Sequence, residues 1–528
     1  MADAVVAPEY LNRRRFLAAL ATGAGGLALP GLLAGCGTGS TVAGASPLNT
    51  VALADNFGPF DPISATTIES VVLNYHLFEG LVDIDQTTRE LYPALATGWP
   101  RQLSSLRYRI QLRPGARFHD GTAVGSRDVV FSIDRTRHDA SSFFAQFIPY
   151  LDHAEAADDH TVDIVLTEPS SLVNEALTQI RVVPEHYVRS AGAGALAAAP
   201  VGSGPYAFVD AQTNRSVYMR RAGTYNGPRT GRLDDVTFSI VSDNPVRISA
   251  LRSRAVAAIE SPSDFDLEVL RGAGFAVDQR PGMLMSFLMF NCASGPFGDP
   301  RVRQALHYAI DTERVVELAF AGNAAAPTSY LPGNHPAHVA VRRQYDHDPR
   351  RARQLLAEAG FPDGLRFRLH VYDTGWNKAA ATVVQQNWAD VGVEVEQLLG
   401  GENLYADVYG GTYQAMIAIA DQSVFGWDAN TLLSWHYGQT WPAQLFYWSA
   451  PQRQQILDLL ATARLSGGDA QHQAWASVQE IIAEQVPLYP IAHREVITAY
   501  DPRRLASFQG LSVGGLDVRA AVPVAGAR

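Results

Sequence analysis

Hydrophobic positions along this chain follow two periods in turn. Leu106, Tyr108, Ile110 and Leu112 alternate with Arg107, Arg109 and Gln111, which predicts a half-buried strand. Residues 128–134 then switch to helical spacing. Asp299-Pro300-Arg301 predicts a helix start, because the carboxylate can accept the first free amide protons and proline fits the first turn. Val302, Ala305, Leu306, Ala309 and Ile310 follow as one apolar stripe. Asp348-Pro349 repeats the device, and Gly360 ends that helix after Leu355, Leu356 and Ala359. Met416-Ile417-Ala418-Ile419-Ala420 is an apolar run that predicts a strand ending at Asp421. The small-residue stretch 191–199 predicts a surface connection. This mixed order predicts α/β lobes.

The first apolar run, residues 16–33, has a different meaning. Arg13-Arg14-Arg15 precedes it and Leu33-Ala34-Gly35-Cys36 closes it, the arrangement of an export signal. The paired arginines before Phe16-Leu17 resemble the twin-arginine signal, and the last quartet resembles the bacterial lipobox, which implies a lipid on Cys36. A membrane-spanning helix is the competing reading; the run is short for it and is broken by glycines and Pro30. Residues 36–46 are small and polar and predict a tether. Together they place the rest of the chain outside the cytoplasm, attached to the membrane but not crossing it.

Composition narrows the choices. At 528 residues and 47% hydrophobic content the chain can bury large cores in two or three lobes. The formal charge is −11, and the leader adds three arginines against Asp3 and Glu9, so the remainder is more acidic still. Nucleic acid is therefore excluded as a partner on charge. Cys36 and Cys292 are the only cysteines; with Cys36 lipidated no disulfide is expected, and Cys292 is expected to be a small buried hydrophobe.

Phe78-Glu79-Gly80-Leu81-Val82 and Leu91-Tyr92-Pro93-Ala94-Leu95-Ala96-Thr97-Gly98-Trp99 resemble family 5 of the bacterial extracellular solute-binding proteins, the peptide and nickel receptors of ABC importers. Leu112 to Thr122 is close to the family signature LRxGxxFHDGT, and Gly202-Ser203-Gly204-Pro205-Tyr206, Asp299 to Leu306, Leu355 to Phe361 and Pro487-Leu488-Tyr489 follow in family order. Two departures stand out. Gly125 replaces the usual threonine before the helix after the signature, and the family's DxxDP element is stretched into Ala420-Asp421 followed by Gly426-Trp427-Asp428-Ala429.

The resemblance implies a periplasmic-binding-protein type II clamp, α/β, with two binding lobes and an extra structural domain. The implied division is a signal at 1–35, the tether at 36–46, domain I from 47–77, 200–285 and 489–528, domain II at 78–199 and domain III, the second binding lobe, at 286–488. It also implies a monomer that captures short peptides or, alternatively, nickel, a metal chelate or another small solute, with an ABC permease as partner and no cofactor.

For the site, four of the eight tryptophans lie within 427–448: Trp427, Trp435, Trp441 and Trp448, with His436 and Tyr437 among them. Aromatic faces suit variable solutes, and core packing is the alternative for each ring. In peptide-binding members an Asp in the stretched element pairs with the ligand's amino group; Asp421 and Asp428 are both candidates. Glu79, Gly204 and Tyr206 are expected near the lobe crossover, either as ligand contacts or as turn geometry. Arg117, His119 and Asp120 are expected to bond one another's turn. His335, His338 and His347 lack close-set metal-ligand spacing, which leaves His436 as the candidate for a metal-chelate contact. His-Glu-x-x-His and Gly-x-Ser-x-Gly are absent, so no enzyme is expected.

Overall fold

The first sheet is assembled from three separated stretches of chain. In the computed structural model, which describes residues 49–525 apart from 193, 402, 512 and 513, it has seven strands. Their order is Ala276–Arg280, Val496–Tyr500, Ala258–Glu260, Thr50–Leu53, Asp235–Ile240, Ser216–Arg221 and Tyr206–Gln212. Thr50–Leu53 runs parallel to both of its neighbours, so the carboxyl ends of three strands point the same way. The export signal, Cys36 and the tether lie outside the described residues. No helix among the described residues is long and apolar enough to cross a membrane.

A second sheet of six strands forms the other lobe: Ala324–Ala325, Leu488–Arg494, Met285–Phe290, Ala415–Ala420, Leu365–Tyr372 and Val393–Gly400. Met285 and residues 489–494 therefore belong to this lobe and not to domain I, as the sequence division had them. Backbone pairing sets the boundary: Leu488–Arg494 and Met285–Phe290 pair side by side, so both crossings between the sheets fall just outside them, at 281–284 and at Glu495. At the crossings the buried guanidinium of Arg494 meets Asp264 of the first lobe at 2.9 Å.

The segment 78–199, inserted between two strands of the first sheet, carries a four-stranded antiparallel sheet, Arg101–Ser104, Arg107–Gln111, Thr161–Leu166 and Leu151–Asp158. Its apolar face, with Ile110, Val162 and Ile164, joins one continuous core with Phe287, Leu432 and Leu433 of the second lobe. Local chemistry explains the elements. The strand over 107–111 and the helix Ser126–His138 form as predicted; at the latter, Gly125 donates its amide to Asp128 Oδ2 at 2.9 Å, so half of a capping box remains without the family's threonine. Asp299 and Asp348 accept from the amides of Arg301 and Arg351 at 2.8 and 2.9 Å. Residues 191–199 are not a plain connection: Ala195–Ala198 forms a helical turn whose Leu196 is buried, an apolar anchor in an otherwise small-residue stretch.

Candidate functional site

Both lobes direct strand ends into one crevice, and each end carries a carboxylate. On the first lobe Glu260 closes its strand and accepts from Ala54 at 2.9 Å and from Gly515 at 2.6 Å. On the second, Asp421 follows the strand Ala415–Ala420. Its Oδ1 accepts from the Ser423 amide at 3.1 Å and hydroxyl at 2.5 Å, while Oδ2 accepts from the Gly514 amide at 3.1 Å. Two successive amides of the C-terminal segment thus tie one carboxylate from each lobe. Burial holds the Asp421 carboxyl above the usual carboxylate range, opposed by the Ser423 hydroxyl and by the charge of Arg89. The carboxyl ends of parallel strands are where open α/β sheets bind ligands.

Between the lobes lies a cavity of about 20 Å³ whose lining begins on the second lobe at Val424, three residues beyond Asp421. That is room for about one water molecule. Pro62, Ala65 and Val71 line it from the first lobe, Val424 and Phe425 from the second. Phe144, Thr178, Gln179 and Arg181 line it from the segment 78–199, so that segment, expected to be structural, also supplies walls. Tyr75 bridges the crevice: its hydroxyl donates to the Val424 carbonyl at 2.7 Å, and its ring lies between the guanidinium groups of Arg181 and Arg519 at 4.6 and 5.5 Å.

The residues singled out from sequence divide sharply. Trp435 sits on the seam, stacked between Phe425 at 4.6 Å and Phe147 at 5.3 Å, and Trp427 carries the Arg89 guanidinium over its ring at 4.5 Å. His436 and Tyr437, one and two residues further along the same helix Ala429–Tyr437, face the core instead and are fully buried. Burial pushes the His436 imidazole down to about 3, and its Nδ1 meets the Tyr330 hydroxyl at 2.5 Å; it cannot reach a solute, nor can Tyr437, whose hydroxyl donates to the Leu488 carbonyl. Asp428 caps that helix by accepting from the Thr431 amide at 2.8 Å. Trp448 is core as well, and Trp441 packs on the His436 ring at 4.4 Å.

Glu79, Gly204 and Tyr206 are not solute contacts either. Glu79 is buried against Arg113, with Nη2 to Oε2 at 3.1 Å, and burial raises its carboxyl to about 7 against the pull of that arginine. Tyr206 is wholly buried in the first lobe's core. A Cβ on Gly204 or Gly202 would lie 2.4 Å from the His76 carbonyl or 2.0 Å from the Leu77 carbonyl, so both glycines exist for the close crossing of two backbones. That crossing joins the first lobe to the segment 78–199; the two-strand passage between the large sheets lies elsewhere. His119 fixes the crossing by bonding the Gly204 carbonyl at 3.0 Å and the Gly202 amide at 3.2 Å, while Asp120 accepts from Thr122 at 2.9 Å and Arg117 donates to Gly121 at 2.8 Å.

Sequence reading missed Asn74, Tyr75, Phe144, Gln179 and Arg181. Only Arg181 left a signal, a charge inside the apolar run Ile180 to Val183. It is buried and paired with Asp83. Among the described residues no group of three or more His, Cys, Asp or Glu side chains could hold a metal ion. Cys292 is half-buried and burial raises its thiol to about 11, which keeps it un-ionised. A larger polar groove of about 460 Å³ lies outside the crevice, beside Asp85, Arg229, Asp517 and Arg519. There Arg229 pairs with Asp85 and Arg519 with Asp517, and no strand end of a large sheet opens into it.

The chain is similar to known proteins in sequence and in fold. The model of the bacterial extracellular solute-binding proteins, family 5, matches residues 90–444. The glutathione-binding protein GsiB of Shigella boydii serotype 4 is 28% identical over 469 residues, covering 85% of this chain and 90% of that protein. In fold, the dipeptide-binding protein of Pseudoalteromonas sp. SM9913, solved with Met-Leu, superposes with a TM-score of 0.80 at 21% identity, over 90% of this chain and 100% of that one. NikZ of Campylobacter jejuni, solved with Ni(L-His), gives a TM-score of 0.79 at 18% identity, over 89% and 97% of the two chains.

Proposed function

The chain belongs to the bacterial extracellular solute-binding proteins of family 5, and from that premise we propose that it captures short peptides, reading the free amino terminus with Asp421, and hands them to a membrane permease. As a member it is a type II clamp and a solute-binding receptor of an ABC importer, not an enzyme, and it works outside the cytoplasm. The observation that carries the peptide reading is the Asp421 carboxylate. It is buried where both lobes and the C-terminal segment meet, and its Oδ2 accepts a single amide, leaving capacity for an ammonium group. The relatives described as glutathione-binding and dipeptide-binding support a ligand of that size.

Native mass spectrometry of the purified chain tests this. Co-purified short peptides support the reading, and a metal chelate or sugar with no peptide overturns it. In titrations, Asp421→Asn is expected to weaken peptides with free amino termini by about tenfold or more, while N-acetylated peptides lose nothing further. Unchanged affinity would move the role to Asp428.

A lipid on Cys36 would keep the clamp beside its permease through the tether, raising their local concentration. Cys36→Ser is then expected to move the exported chain from the membrane fraction to the soluble fraction, as followed by fractionation and immunoblot; retention in the membrane would remove the anchor from this account.

A further inference from the structure

Donors and acceptors do not balance in the cavity between the lobes. The hydroxyls of Tyr75 and Thr178 and the guanidinium of Arg181 are committed within the protein. Tyr75 donates to the Val424 carbonyl at 2.7 Å, Thr178 to the Glu175 carbonyl at 2.7 Å, and Arg181 to Asp83 and, at 3.1 Å, to the Thr178 carbonyl. Two acceptors are not committed. Asn74 Oδ1 and Gln179 Oε1 have no hydrogen-bond partner, although their side chains are only 3% and 7% exposed. They come from different parts of the chain, Asn74 from the helix Ile68–Leu77 of the first lobe and Gln179 from the end of the helix Val173–Thr178, and both line the same cavity. Buried carbonyl oxygens are almost always paired, so two unpaired ones on a single cavity call for a donor that arrives from outside. The facing wall of Val71, Phe144 and Phe425 carries no charge.

We infer that Asn74 and Gln179 are specificity-determining residues. Their carbonyl oxygens accept hydrogen bonds from the N–H groups of an amide ligand whose apolar substituent packs on Val71, Phe144 and Phe425. The inference rests on the peptide reading and adds to it: Asp421 takes the cationic end, and these two side chains take the peptide N–H. Selectivity follows from what a wrong ligand leaves behind. A dipeptide has one peptide N–H, which the two oxygens share as a three-centre hydrogen bond; an ester in its place has no hydrogen to donate, so both protein oxygens stay unpaired and face another oxygen.

The test is a calorimetric titration of the purified chain, and of Asn74→Ala and Gln179→Ala, with the dipeptide Leu-Phe and with its depsipeptide analogue, in which an ester oxygen replaces the peptide N–H. The wild-type chain is expected to prefer the amide by at least about tenfold, and each variant to narrow that preference to about threefold or less. Equal wild-type affinity for the two, or a preference that survives in both variants, overturns the inference while leaving the peptide reading standing. If neither Leu-Phe nor any co-purified peptide binds, the peptide reading itself falls and this inference with it. The wild-type ratio needs no variant, so it decides even where a substitution prevents folding.

Discussion

The crossing at residues 76–80 and 202–206 and the crevice around Asp421 are both places where the first lobe meets another part of the chain, yet they are built oppositely. At the crossing, backbones touch: Gly202 and Gly204 lie against the carbonyls of Leu77 and His76, and His119 bonds both sides. Glu79 is buried there with Arg113 beside it. In the crevice, contacts are made by side-chain ends, and two acceptors have no partner at all. Unpaired buried atoms do not by themselves separate the two joints, since Ser203 Oγ and the Tyr206 hydroxyl at the crossing also lack partners; the difference is that the crossing is held by touching backbones and the crevice by side-chain ends that can part.

The largest effect that could break this contrast is steric. Gly202→Ala places a Cβ 2.0 Å from a backbone carbonyl that cannot yield, and is expected to cost about 3 kcal/mol or more of stability in urea unfolding. Gly426→Ala in the crevice meets the Thr431 methyl at 3.1 Å and the Gln179 amide at 3.4 Å, both mobile ends, and is expected to cost under about 1 kcal/mol. Equal costs would mean that the crevice is as rigid as the crossing.

A smaller effect separates two carboxyls that burial raises to about 7, Glu79 at the crossing and Glu175 beside the crevice. A carboxyl raised from 4.5 gives a stability contribution that is full below that value and is lost as pH rises through about 7, so either substitution by Gln should flatten the fall of melting temperature between pH 5 and 7. Above pH 7 the two should differ in sign. Glu175 is near Asp428 and its Oε2 has no partner, so Glu175→Gln is expected to stabilise by about 1 kcal/mol. Glu79→Gln leaves the Arg113 guanidinium without its counter-charge and is expected to destabilise by a similar amount. Thermal melts across that range check both, and the same sign for both would remove the distinction.

How legible the site was in the sequence depends on the range of the interaction involved. Asp299, Asp348 and the Gly125–Asp128 cap act within three residues, and the strand ending at Asp421 is set by its own apolar run; all were readable in advance. The aromatic segment was not. Trp435 and His436 are adjacent, and a helix turns consecutive residues about 100° apart, so one reached the seam and the other the core according to what stood opposite. Nothing local distinguished Asp428, a helix cap, from Asp421.

By itself the sequence determined the α/β character, the order of elements, the family and the strand-end carboxylate, because each follows from periodicity, capping or a contiguous motif. Only the tertiary structure decided that Leu488–Arg494 belongs to the second lobe, that Glu79 and Tyr206 are internal, and that Asn74 and Gln179, 105 positions apart in the chain, share one cavity. Those outcomes depend on which distant segments pack together, and burial and hydrogen-bond pairing between them are properties of the assembled fold that no stretch of chain carries alone.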